Sequence, residues 1–169
     1  MRTPANIAGH PIHPMLVGIP IGLWLFSIVC DFVSLSANAD PAWSTVAFYT
    51  MAGGVVGALL AAVPGLIDLL SLPETPRRTA LVHMSINLTI VALYVINLWL
   101  RYRGTDSNAP LWLSVIAVAM LAVSGWLGGK LVYVYGVSVG PAPDFAEEKR
   151  PARERDANRA VPPRADRAY

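Results

Sequence analysis

Four long apolar runs separated by short polar breaks organise the first 140 positions of the chain. They cover approximately residues 15–35, 43–70, 79–100 and 111–135. Each reaches the roughly 20 helical residues that a hydrocarbon layer requires. The breaks at 36–42, 71–78 and 101–110 carry turn residues and are short enough to force antiparallel neighbours. The pattern predicts an all-α, up-down-up-down four-helix bundle embedded in a membrane over residues 15–140, preceded by a His-Pro segment at 1–14.

Composition strengthens this picture. Of the 169 residues, 54% are apolar and 14% charged, and the mean hydropathy is +0.49, beyond the usual range of a soluble domain of this size. Residues 141–169 hold 13 of the 24 acidic and basic side chains, with five prolines and almost no large hydrophobes. Such a segment cannot bury enough surface to offset its chain entropy, so a disordered polar tail is predicted there. The net charge is only +2, and more than half of the charged residues lie in that mixed-sign tail, so there is no basic surface of the kind nucleic acid needs. Arg2, Arg77, Arg78 and seven tail cations flank one side of the bundle, against Arg101 and Arg103 on the other, so both termini are expected on the cytoplasmic side of an inner membrane. A competing reading takes residues 15–29 as a signal-peptide core cleaved after Ala37-Asn38-Ala39; a single preceding Arg and the odd number of spans left behind argue against it.

Small residues four apart let membrane helices approach closely. Gly18 and Gly22 lie in the first span, Gly53, Gly57, Ala61 and Gly65 in the second, and Gly125 and Gly129 in the fourth. Helix packing, oligomerisation through these faces, or room for a flat cofactor are all compatible with that spacing. Cys30 sits alone in an apolar run and reads as a small hydrophobe.

Ionisable groups near a span are costly and mark candidate sites. His10 and His13 precede the first span, Asp68 ends the second, His83 opens the third and Lys130 closes the fourth, all on the expected cytoplasmic side. Because each precedes a proline, His10 and His13 are expected in extended or turn backbone, facing the same way about 9 Å apart if that stretch is polyproline-like. His83, Asn87, Tyr94 and Asn97 share one face of the third helix. Asp68 and Lys130 read either as an interfacial ion pair or as separate solvated groups, and Asp31, at the opposite end, as an exposed interfacial carboxylate.

The motif Gly9-His10-Pro11-Ile12-His13-Pro14, the Gly65-Leu66-Ile67-Asp68 at the end of the second span, His83 with Asn87, and Gly128-Gly129-Lys130-Leu131-Val132-Tyr133 followed by Gly136 occur in this order. Over residues 6–140 they resemble the family of small bacterial four-helix membrane proteins catalogued as domain of unknown function 2231. The resemblance implies no established activity. Some members of that family look to be joined to, or encoded near, redox domains, which directs attention to redox roles.

Four functional readings stand. The first is a redox-associated membrane subunit binding one b-type haem through His83 and either His10 or His13, with Asn87, Asp68, Lys130 and Tyr133 around it and a quinone or redox protein as electron partner. Only three histidines exist, so a monomer holds at most one bis-histidine haem. The second is a zinc or copper site of His10, His13, His83 and Asp68. The third is a non-catalytic scaffold or partner-docking subunit, and the fourth a transporter of protons or small ions. No phosphate-cradling glycine loop or nucleophile elbow is present, so a conventional soluble enzyme is not expected.

Overall fold

A computed structural model describes residues 3–36, 38–104 and 107–139. The predicted disordered tail at 141–169 lies outside the described residues. A short hairpin, β1 (Asn6–Ile7) and β2 (His10–Pro11), leads into α1 (Ile12–Leu16). There follow α2 (Gly18–Ser34), α3 (Ala42–Ser71), α4 (Glu74–Tyr102) and α5 (Ala109–Tyr133). Helices α1 and α2 together form the first of four segments long and apolar enough to span a membrane, and α3, α4 and α5 form the others. Consecutive helices pack against each other and α5 returns to α2, which closes an antiparallel ring of four.

The departures from the sequence expectation have local causes. The first span divides at Val17 because Pro20 has no N–H to offer the carbonyl one turn back, so a rung of the helical ladder is missing there. His13 is helical rather than extended, although it precedes a proline. Pro14 lies in the first turn of α1, where no intrahelical N–H is required, and the bond from Val17 N to His13 O (3.1 Å) closes that turn. The third span begins at Glu74 rather than Thr79, leaving only Leu72 and Pro73 as a connection. Pro73 is extended at the N-cap, Pro76 falls in the first turn where its missing N–H costs nothing, and Glu74 complements the positive helix terminus.

Between the helices, the interior is layered. At mid-depth Trp24, Met51, Val55, Ile90, Tyr94 and Ala117 form an apolar plug. The Trp24 and Tyr94 rings stack with centroids 4.5 Å apart and 15° between planes. The indole Nε1 donates to the Met51 carbonyl (3.3 Å) and Ser27 donates to the Ala47 carbonyl (2.9 Å), tying α2 to α3. Tyr94 presents the one fully buried side-chain polar atom that has no hydrogen-bond partner among the described residues, its hydroxyl. Polar groups concentrate above and below the plug.

Exposed aromatic side chains collect near both ends of the bundle: Trp43, Trp99, Tyr102 and Trp112 at one, Trp126 and Tyr133 at the other. Rings of this amphipathic kind favour the headgroup level of a bilayer.

Candidate functional site: a histidine pair at one end of the bundle

The hairpin decides where the two N-terminal histidines point. Ile7 pairs with His10 across a two-residue turn in which Ala8 (φ 50°) and Gly9 (φ 82°) both have positive φ, the requirement of an I′-type hairpin turn. His10 is therefore on the hairpin, exposed, with Nδ1 3.2 Å from the Ala8 carbonyl. His13, one turn into the helical segment, faces the bundle. The expected common orientation of His10 and His13 is corrected by this change from extended backbone to hairpin and helix.

His13 reaches across to α3, where its Nδ1 lies 2.8 Å from the carbonyl of Ala61. On α4, His83 Nδ1 lies 3.0 Å from the carbonyl of Ser124 on α5. A carbonyl only accepts, so Nδ1 is the donating nitrogen in both imidazoles, and on His83 the Asn87 amide beside Nε2 fits a lone pair there. The two rings face each other edge to face, with centroids 6.4 Å apart and 89° between planes. Asn87, one turn after His83, places its amide nitrogen 2.8 Å from the His83 carbonyl, 2.7 Å from Ser124 Oγ and 3.2 Å from His83 Nε2. Four helical segments thus meet at one pair of imidazoles.

Two glycines of the sequence motifs explain how the rings fit. A Cβ built on Gly65 would lie 2.8 Å from His13 Nδ1, and one on Gly128 would lie 3.3 Å from His83 Cε1. Gly125 and Gly129, by contrast, have open space where a Cβ would go. Some motif glycines therefore make room for the histidines rather than for a neighbouring backbone. We expect Gly65→Ala to displace the His13 ring from the Ala61 carbonyl and to lower stability by about 1–3 kcal/mol, whereas Gly129→Ala should not destabilise the bundle. Unfolding midpoints of the two variants in mixed micelles provide the comparison.

The remaining candidates lie around this pair in different roles. Asp68 is buried, and its Oδ1 accepts the backbone N–H of Ala5 at 2.9 Å. With Thr3 Oγ1 2.9 Å from Ser138 Oγ, this clamps the N-terminal segment across the end of the bundle. Lys130 is exposed and its Nζ lies 5.7 Å from the centre of the Tyr135 ring, so it forms no ion pair with Asp68 among the described residues. The Tyr135 hydroxyl is held below the ordinary phenol range, chiefly by a hydrogen bond with Thr79 and further by the Lys130 ammonium. Tyr133 points outward and is 89% exposed. Among the described residues, no three His, Cys, Asp or Glu side chains are grouped to hold a metal ion, so His10, His13, His83 and Asp68 do not converge on one centre.

Asp31 corrects the expectation of an exposed interfacial carboxylate. Its side chain is buried at the opposite end of the bundle, where Arg101 donates to both of its oxygens at 2.8 and 2.7 Å. Asn97 completes that cluster by accepting from Arg101 Nε (2.8 Å) and donating to the Pro110 carbonyl and Ser114 Oγ at 2.6 and 2.9 Å. The helical spacing of Asn97 and Arg101 was a usable signal; the partnership with a residue 70 positions earlier had none. On α4 the polar face accordingly runs from His83 and Asn87 through Tyr94 to Asn97 and Arg101, with Ile90 of the apolar plug interrupting it.

No match to this chain was found among curated proteins or among solved structures. The family model described as "Predicted membrane protein (DUF2231)" matches residues 9–141, which include all four spans and both histidines of the pair. The chain belongs to that family of membrane proteins.

Proposed function

We propose that this protein is a redox-associated membrane subunit in which His13 and His83 hold a single b-type haem at the cytoplasmic end of the bundle. The observation that carries the reading is the shared anchoring of the pair, each ring held through Nδ1 on a backbone carbonyl. Anchoring Nδ1–H on a backbone carbonyl is how ligating histidines are fixed in orientation, and it leaves Nε2 as the atom to ligate; on His83 an iron would take the place of the Asn87 amide, 3.2 Å from Nε2. A donor set of two neutral imidazoles suits haem iron better than a closed zinc site, which wants four ligands. The group itself supplies one-electron chemistry; the chain supplies ligand orientation, a low-dielectric wall and, through Asp68 and Lys130, charge nearby. A quinone or redox protein in or beside the inner membrane is the electron partner in this reading.

A second reading rests on Asn87. Its amide already stands 3.2 Å from His83 Nε2, so the imidazole is fully hydrogen-bonded without any iron. In that case the pair is a latch joining α1 to α3 and α4 to α5 in a non-catalytic scaffold. The visible spectrum separates the two. We expect the chain, purified from haem-sufficient cells, to show a Soret band and a reduced α-band that vanish in His13→Ala and His83→Ala and persist in His10→Ala. A folded protein without a Soret band, before and after haem addition, would leave the scaffold reading standing alone.

A further inference from the structure

At the end of the bundle opposite the histidine pair, a cleft of about 560 Å³ opens between the C-terminal ends of α2 and α4 and the N-terminal ends of α3 and α5. From His83 to Arg101 along α4 the axial distance is about 27 Å, so this cleft is separate from the histidine site. It belongs to the level of Trp43, Trp99 and Trp112, where headgroups meet hydrocarbon. Its size lies within the range of small-ligand pockets, roughly 300–1,000 Å³.

The lining determines what the cleft recognises. Asp31 and Arg101 form its charged floor, and as a neutral pair they give it no net preference for an anion or a cation. Arg101 spends three N–H groups on Asp31 and Asn97, which leaves two of its five for another acceptor. Each Asp31 oxygen accepts from Arg101 and retains a second lone pair. Ser34 and Ser44 commit their hydroxyl protons to the carbonyls of Asp31 and Pro41, at 2.7 and 2.8 Å, so these two lining residues have only acceptor capacity left. Phe48 and Leu111 supply the apolar wall. The cleft therefore offers cationic N–H donors beside anionic and hydroxyl acceptors, over an apolar surface, at headgroup depth.

The geometry points to a binding site for the zwitterionic phosphoethanolamine headgroup of a phospholipid. The phosphate would take the spare Arg101 N–H groups, the ammonium would donate to Asp31 and the serine oxygens, and the acyl chains would run down the apolar flank. This inference is independent of whether haem occupies the histidine pair.

Native mass spectrometry of the full chain in mild detergent tests it, with phosphatidylethanolamine or phosphatidylglycerol added as probe. We expect one phosphatidylethanolamine to be retained with at least about tenfold preference over phosphatidylglycerol, the equivalent of about 1.4 kcal/mol. Two variants should abolish that preference: Asp31→Leu/Arg101→Leu, which removes the recognising pair without stranding a charge, and Thr45→Trp, which fills the cleft and leaves the pair intact. Gel filtration and helix content establish that each is folded. Equal retention of the two lipids would overturn the headgroup assignment, and unchanged selectivity in both folded variants would overturn the site. Displacement of the lipid by a short-chain quinone would reassign the cleft.

Discussion

Arg101→Ala will destabilise the bundle by about 3–5 kcal/mol, the usual consequence of removing one partner of a buried ion pair. The guanidinium satisfies both oxygens of Asp31 and the amide oxygen of Asn97, and the side chains of the pair are only 17% and 6% exposed. Alanine leaves a carboxylate in a low-dielectric setting with no cation, so the group either takes up a proton or draws water between α2 and α4. Asp31→Leu/Arg101→Leu should recover part of the loss, because no charge is left unpaired even though the buried Asn97 Oδ1 loses its donor. The exposed Glu74–Arg78 pair is a useful contrast. It is the shorter contact, at 2.6 Å, yet its side chains are 81% and 79% exposed, and its removal should cost no more than about 0.5 kcal/mol. Equilibrium unfolding in mixed micelles measures all three; an Arg101→Ala variant as stable as the wild type would show that the pair is not buried in the bilayer.

The same residues show how far the sequence could be read. The four spans were legible because each must satisfy one solvent, and a run of about 20 apolar side chains has few other uses. The polar face of α4 was legible because helical periodicity is local, and its histidine end is where the structure brings two imidazoles together. What periodicity cannot reveal is the partner on another helix. Asp31 was misread because nothing near it in sequence announces Arg101, and Asp68 because its partner is a backbone N–H of Ala5 rather than the lysine that charge suggested. The start of α4 was concealed by two prolines, which read as a loop until one recognises that both stand at the helix N-terminus. In the hairpin, Ala8 occupies a positive-φ position where Asn, Asp or Gly would have signalled the turn.

The second large effect concerns Gly54, a glycine that lies outside the four-residue series of its helix. A Cβ on Gly54 would fall on the five-membered ring of Trp24, well inside van der Waals contact. That indole has nowhere to go: it is 2% exposed, stacked on Tyr94, and bonded through Nε1 to the Met51 carbonyl on the same helix as Gly54. Gly54→Ala must therefore push α3 away from α2 or turn Trp24 out of its stack, and either change opens the apolar plug. We expect a loss of about 3 kcal/mol, the upper part of the range for overpacked cores, despite the higher intrinsic helix propensity of alanine. Gly22→Ala, which meets open space, should be neutral or slightly stabilising, and Gly53→Ala, meeting only the flexible Leu23 side chain at 3.3 Å, should fall between them. If close approach of backbones alone dictated these glycines, the three variants would be equally harmful. A graded series that follows the Trp24 contact instead identifies Gly54 as the recess that lets Trp24 and Tyr94 stack, and the tryptophan emission of Gly54→Ala should shift to the red as the indole leaves its buried position.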